Sequence, residues 1–478
     1  MALKRAKNRT KLAGLKTIKA RYDAAYPYGY GREYGRNYNR RLFRNEEPTP
    51  ESYSIEVMRD RARHLEQNTA IVPAILNHIS TGIVGDGVVP DPVLTTASGD
   101  VLLEDSDKLK ELWYEWQEAG ETTGMYTELE AQDLAVRTFY RDGEVFLHHQ
   151  LGYETANTRI PYSYTLLEND SLLSTMEVHD GIVLDELGRP SMYRFGSILN
   201  GDDVIEIEAE KISHYMNRVR IGQKRGVSAF ASIIDDINDI DAIDYAEKVA
   251  AKVASTMALV ITKGTETEFD EANIEDDDVR DIEFSPGAVI DDLGQGERME
   301  VLESSRPSTE HMEFRKSLQR GIAGTLGVVS YSNMARSYEG TYSSQRQEMV
   351  EMRGIQLQHW RRYIQNVEMA KWSRFVKATE MAGLFTIPAS ATKRSVYYPN
   401  FVPPATPWID PAKEAKAYQV LIDYQLESRE YIAQQRGRDI REIQRQQEAE
   451  KEFYGAPMEA EQATAPTSNE DDEVQQGA

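Results

Sequence analysis

The spacing of apolar and polar positions predicts a chain of long helices broken by short antiparallel strands. Val57, Arg61, Leu65, Ala70, Ala74 and Ile75 repeat at mixed three- and four-residue spacing, which predicts a helix over 54–81. Pro73 should kink or restart it. Gly82, Gly85 and Gly87 then end it, and Val88, Val89 and Val93 read as extended chain. Two more helices are predicted at 105–119 and 126–141, the second stopped by Asp142-Gly143. Alternation over Glu144–Gln150 and Ile160–Leu167 predicts strands, and Gly188-Arg189-Pro190 predicts a turn within Leu184–Tyr193. From Ser228 to about Thr262 no Pro or Gly interrupts a helical pattern. Ile233, Ile237, Ile240 and Ile243 keep an apolar stripe there, with Asp235, Asp236, Asp239, Asp241 and Asp244 mainly off it.

The second half continues in the same manner. Residues 263–305 are acidic, with short strand-like pieces and turns at Ser285-Pro286-Gly287 and Gly294-Gln295-Gly296. A helix is predicted over 308–328, then a polar stretch rich in Ser, Tyr, Asn and Gly at 330–344. A long helix rich in Arg, Gln and Met follows over 345–382. Strand-like pieces are expected at 384–388 and 395–402. Pro403, Pro404, Pro407 and Pro411 break the chain, and two or three short helices run from 411 to about 453. The end, 456–478, is polar and acidic and is expected to be disordered. The class is α+β, without internal repeats.

Charge divides the chain. The net charge of −24 hides a basic start: residues 1–44 hold 13 Lys/Arg against Asp23 and Glu33. The remainder holds 42 basic and 77 acidic residues. Such a body will not wrap nucleic acid by neutralising phosphates, but it leaves DNA free to pass ungripped. The basic arm also carries Tyr22, Tyr26, Tyr28, Tyr30, Tyr34 and Tyr38. Two readings of it stay open: a stacking and neutralising contact with nucleic acid, or a tail that docks on a neighbouring subunit.

Several chemistries drop out. There is no cysteine, which removes disulfides, thiolate catalysis and Cys-based metal sites. No apolar run of membrane-spanning length occurs, and no signal peptide is expected; a cytoplasmic protein fits both. No GxxxxGK[ST] phosphate loop and no Gly-x-Ser-x-Gly elbow is present. Gly82-Ile83-Val84-Gly85-Asp86-Gly87 matches a dinucleotide fingerprint only loosely and lacks its strand-then-helix setting. His78, His148 and His149 lack metal-ligand spacing, the pair being expected to end a strand. Consecutive carboxylates at Glu275-Asp276-Asp277-Asp278 diverge more readily than they converge on a cation, so they read as a solvated loop. No cofactor is expected.

One set of segments resembles a known family. Arg320-Gly321-Ile322-Ala323-Gly324-Thr325-Leu326-Gly327-Val328, then Ser330-Tyr331, Arg336-Ser337-Tyr338 and Tyr342-Ser343-Ser344 with Arg346 and Glu348, resembles the lambda family of tailed-phage portal proteins. Arg59–Gly87, Arg141-Asp142-Gly143-Glu144-Val145-Phe146 and Gly222-Gln223-Lys224-Arg225-Gly226 agree, as do Trp408-Ile409-Asp410-Pro411 with Lys413-Glu414-Ala415 and Gly437-Arg438-Asp439. The order of these segments over roughly 55–455 carries the resemblance more than any one of them.

The resemblance implies a non-enzymatic ring, commonly a dodecamer, at one capsid vertex of a virion assembled in the host cytoplasm. DNA would be packaged and ejected through its axial channel. Its layout would be an arm (1–54), a mixed α/β wing (55–227 with 384–402), a stem helix (228–262), a small α/β clip (263–305) and a second stem helix (306–328). A tunnel loop (329–344), a long helix (345–383), a helical crown (403–455) and an acidic tail (456–478) would follow. Two helices around an acidic insert independently suggest a stalk capped by a small domain. Partners implied are further copies of the chain, the terminase large subunit, a head-completion or adaptor protein, the major capsid and scaffold proteins, and double-stranded DNA; no membrane is implied. Arg315, Lys316, Arg320, Tyr331, Asn333, Arg336 and Tyr338 are the candidate channel residues, and Asp276, Asp277 and Asp278 the candidate docking residues. The basic ones either touch phosphates or pair with nearby carboxylates. Another head–tail connector component and a metal-dependent nuclease are the competing readings.

Overall fold

The computed structural model describes residues 49–173, 181–196, 204–255, 259–263, 297–301, 309–338, 340–405, 411–436, 438 and 440–454. Helices and strands mix throughout. The N-terminal helical pattern forms two helices, α1 (Thr49–Asn68) and α2 (Ile71–Ile83). The restart falls just before Pro73, which sits in the first turn of α2, where a missing N–H costs no hydrogen bond. The helix α3 (Leu103–Gln117) follows β1 (Pro90–Asp91), and α4 spans Glu128–Asp142. Thr127 and Glu130 close the start of α4 with a reciprocal capping box, and Gly143 ends it at φ +96°.

Directly after that turn, β2 (Glu144–Leu151) pairs antiparallel with β3 (Tyr162–Leu167) on one side and β7 (Ile212–Met216) on the other. His148 and His149 lie within β2 rather than at its end. A second sheet orders β4 (Ile182–Leu184), β5 (Pro190–Gly196) and β6 (Val204–Glu208), also antiparallel. It covers a small core of Phe146, Tyr193, Phe195 and Ile207.

The main core lies between α2, α3, α4, the first sheet and a long helix from the second half. At its centre Trp113 packs against Trp116 at 4.7 Å and edge-on to Phe375 at 5.0 Å, while Trp116 stacks on Tyr162 at 5.1 Å. The buried indole N–H groups of Trp116 and Trp372 donate to the Tyr162 and Val396 carbonyls, each at 2.8 Å. The long helix is α8 (Tyr342–Tyr363), a π-turn over Ile364–Glu368, and α9 (Met369–Met381).

Three expectations need correction. The uninterrupted pattern from Ser228 to Thr262 yields α5 only over Ile234–Ser255; turns precede it, and Leu259–Lys263 forms β8. Leu259, Val260, Ile261 and Thr262 are strand formers, and β8 finds an antiparallel partner in β9 (Glu297–Val301). No strand forms at 384–388; Phe385 drops into the core from irregular chain instead. In 395–402 only Asn400–Phe401 is strand (β10, paired with β1), after the short helix α10 (Lys393–Tyr397).

After β9 come α6 (Thr309–Leu326) and α7 (Tyr331–Ala335), and then α8. The final helices are α11 (Pro411–Asp423), α12 (Arg429–Gln435) and α13 (Ile440–Tyr454). Arg441 on α13 grips Asp91 at 2.7 and 2.8 Å, and Arg445 reaches Asp107 at 2.6 Å. The arm, the span between β8 and β9, and the tail lie outside the described residues.

The tightest backbone contact tests this packing. A Cβ on Gly226 would lie 2.1 Å from the Gly143 carbonyl oxygen, whereas one on Gly354, in α8, meets nothing. Gly226→Ala is expected to lower unfolding free energy by about 2–3 kcal/mol, and Gly354→Ala to raise it by about 0.5–1 kcal/mol. Chemical denaturation of both variants checks this; equal effects would contradict the packing.

Candidate DNA-channel surface

The helices α5 and α6 pack on each other, and their contact is ionic as well as apolar. Arg315 on α6 pairs through Nε with Asp244 on α5 at 3.0 and 3.1 Å. His311 Nε2 stands 3.9 Å from the same carboxylate. Asp244, Glu247, Lys248, Ala251 and His311 line a shallow hollow of about 300 Å³ between the two helices. Arg315 therefore sits in the helix–helix seam. Lys316 pairs with Glu313 one turn away, at 3.5 Å.

One turn further, Arg320 is exposed and lies over the Tyr331 ring, 5.1 Å from its centroid. Beyond Gly327 the chain turns into the polar stretch. It buries more than its composition suggested: Val328, Val329, Ser330 and Met334 are all buried. Ser330 caps α7 by accepting from the Asn333 N–H at 3.1 Å. Glu348 on α8 accepts from the Ser332 N–H at 3.1 Å and its hydroxyl at 2.6 Å. The Asn333 amide faces Met352 Sδ at 3.5 Å. The Asn333 backbone also bonds His78 of α2, whose imidazole is held below its ordinary pKa by burial and by nearby Arg336. The stretch is thus an anchored turn and not a free loop. Arg336, at φ +47°, and Tyr338 project from it into solvent.

The structure brings Arg320 and Tyr331 together, and Arg336 and Tyr338 are exposed in the segment that follows. Arg315 and Asn333 point into contacts within the subunit. Asp276, Asp277 and Asp278 lie outside the described residues. Among the described residues no group of three or more His, Cys, Asp or Glu is placed to hold a metal, so nothing there supports the nuclease reading. None of the described helices is long and apolar enough to cross a membrane.

Sequence reasoning missed the buried charges that set this geometry. Arg63 binds Asp142 at 2.6–3.2 Å, Arg141 bridges Asp142 and Glu66, and Arg63 also pairs with Asp170. Glu144 has no exposed surface; burial pushes its carboxyl up, but Arg225 and the hydrogen bond from His214 outweigh that and hold it at about 2. Only Arg141-Asp142 was adjacent in sequence; the other partners are tens of residues apart.

These features define a mixed α/β protein in which α5 packs on α6 and an anchored polar turn follows. The family model for "Phage portal protein, lambda family" matches residues 40–359, and the chain belongs to that family. A probable portal protein of Halomonas phage phiHAP-1 is similar at 23% identity over 419 residues, 82% of this chain and 79% of the relative. Among solved structures, a chain from the virion of a native gene transfer agent particle shares 13% identity at TM-score 0.42, covering 79% of this chain and 93% of that one. An HK97-family phage portal protein from Corynebacterium diphtheriae shares 12% at TM-score 0.30, covering 62% and 85%.

The α8 helix that backs the turn carries a titration signature. His359 Nδ1 meets the Tyr140 hydroxyl at 2.5 Å, and burial with nearby Arg362 drives its pKa down to about 4. A folded-state value below the unfolded one means full stabilisation above about pH 6.5, lost as pH falls toward 4, by at most about 3 kcal/mol. His359→Gln is therefore expected to flatten the fall of Tm between pH 7 and 5. An unchanged slope would show that other groups carry the acid sensitivity.

Proposed function

We propose that this chain is one subunit of a closed ring, commonly a dodecamer in this family, at a single capsid vertex, and that double-stranded DNA enters and leaves through the axial channel. The observation that carries this reading is the order of elements: α5, an insert whose ends join at the β8–β9 ladder, α6, an anchored polar turn with exposed Arg320 and Arg336, and α8 behind it. In a ring of such subunits the acidic α5 helices repel phosphate and keep DNA mobile. Arg320 and Arg336, repeated around the ring, would give a sparse circle of contacts that touches the backbone without gripping it.

The chain supplies a conduit and no force. Lacking a phosphate loop, it depends on the terminase large subunit for ATP-driven movement. The acidic insert 263–305, with Asp276, Asp277 and Asp278, is the proposed docking face for terminase and then for head-completion or adaptor proteins. Scaffold and major capsid proteins would hold the ring's periphery. The place of action is the virion vertex, assembled in the host cytoplasm. The overlap of the family match with α1 through most of α8 favours this over another connector component.

One packaging experiment separates the two surfaces. Because Met334 is buried, removing 332–340 would disturb the core, so point changes are preferred. Proheads carrying Arg320→Ala, Arg336→Ala and Tyr338→Ala together should look normal and begin packaging, but retain roughly threefold less DNA, the deficit changing with salt. Asp276→Asn, Asp277→Asn and Asp278→Asn together should leave rings intact yet fail to recruit terminase, most clearly at low salt. Full retention by the first set, or normal terminase capture by the second at every salt concentration, refutes the corresponding assignment.

A further inference from the structure

One surface loop does not belong to the channel or the docking face. Residues 217–226 project from the end of β7 just before the turns that lead into α5. On a chain of net charge −24, this loop is basic, with Arg218 and Lys224 exposed. Its tip is also apolar. Ile221 is 102% exposed and Val219 57%. Ile221 and Val219 thus form a small apolar tip bordered by cations.

The loop is rigid. Gln223 Oε1 accepts from the Val219 and Arg220 N–H groups at 2.9 and 3.3 Å. Its Nε2 donates to the Asn217 and Arg225 carbonyls at 3.0 and 2.6 Å. The base is pinned by Arg225 Nε and the Gly226 N–H, both at 2.6 Å from the buried Glu144 carboxylate. These bonds hold Ile221 out before any partner arrives, so little ordering entropy is lost on docking.

We infer that this loop is a key that inserts against the outward face of α5 in the neighbouring copy of the chain. The inference rests on the ring reading and specifies how its subunits engage. Opposite the buried Ile237 and Ile240, α5 exposes Asp235 and Ala242, and Tyr245 and Asp241 are exposed on its flank. Tyr245 is 70% exposed, and the small Ala242 is exposed one turn before it. Carboxylates around an apolar seat complement cations around an apolar tip.

Symmetry supports the pairing. Rotation about a ring axis keeps every atom at its own height, and interfaces in a ring are heterologous. The loop lies at the entry to α5 in its own subunit, so in a ring it stands at about the height of the neighbour's first turns of α5. Duplex DNA offers phosphates to the cations but no apolar seat for Ile221, which favours a protein partner.

The absence of native cysteine makes the test direct. Ile221→Cys and Ala242→Cys would be made as separate full-length proteins and as a double variant. Mild oxidation of the mixed single variants should give covalent dimers only, since each subunit then carries one of the two thiols. The double variant should give a ladder of higher oligomers. Disulfide closure requires Cα atoms within about 7 Å, and a ladder that persists on dilution, where collisional cross-links fade, marks the assembled interface. In parallel, Ile221→Asp and the pair Arg218→Glu with Lys224→Glu should raise the concentration for half-assembly about tenfold, read by mass photometry. Adding Asp235→Lys and Asp241→Lys to the charge-reversed loop should restore assembly.

Wild-type rings with no cross-link and no assembly defect in the loop variants would overturn this inference and leave the ring reading standing. Loop variants that assemble normally but lose duplex DNA binding would assign the loop to nucleic acid and overturn it too. A wild-type chain that stays monomeric at every salt concentration would overturn both.

Discussion

A single ammonium buried between two carboxylates ties the distant halves of this subunit together. Lys371 Nζ lies 2.5 Å from Glu128 Oε1 and 3.1 Å from Glu368 Oε1, and 4.4 Å from the centre of the Tyr164 ring. Tyr164 and Tyr363 donate their hydroxyls to Glu128 and Glu368 at 2.6 and 2.7 Å. Burial alone would push the Lys371 pKa down, but the two carboxylates outweigh it and keep the amine charged; burial pushes the Glu368 carboxyl up. Losing one member of such a cluster strands the others in a low dielectric, at a cost of about 3–5 kcal/mol. The π-turn over Ile364–Glu368 carries Glu368 at its end, beside Lys371 in α9. The cluster thereby fixes α8–α9 against α4 and the first sheet. Because α8 holds the polar turn through Glu348, the position of Arg336 and Tyr338 depends on a salt bridge far from them.

That dependence explains what the sequence made legible. Periodicity located α1 to α4, α6 and the α8–α9 helix, because each buries one face and the apolar spacing records it. It failed at 256–263, where β-formers follow a helix with no Pro or Gly between them and only pairing with Glu297–Val301 decides the outcome. It failed again at 329–344, where composition suggested a loop but Met334 finds a core pocket and Ser332 a carboxylate on α8. Candidate residues were legible as a set and not one by one. Arg315 and Arg320 are five residues apart on one helix, yet the first is held by Asp244 and the second is exposed. Nothing local distinguishes them; the partner helix does.

Charge is divided by purpose across the molecule. Interior charges are paired and immobile, as at Glu144 with Arg225 and Asp142 with Arg63 and Arg141. They hold sheet, α1 and α4 in register. Exposed acids on α5 stay solvated and contribute little to stability, and they make that helix's surface field negative. Exposed cations are spread over many elements, and Arg320 and Arg336 beside the end of α6 are two of them.

The central claim is a closed ring with the turn after α6 at its lumen. The most direct measurement is a cryo-electron microscopy reconstruction of the purified full-length chain without DNA or nucleotide. The account predicts a cyclic ring with an open axial hole, α6 and residues 329–344 nearest the axis, and Arg336 and Tyr338 facing the lumen. A ring with that segment on its outer rim, or a stable monomer across salt concentrations, would contradict it.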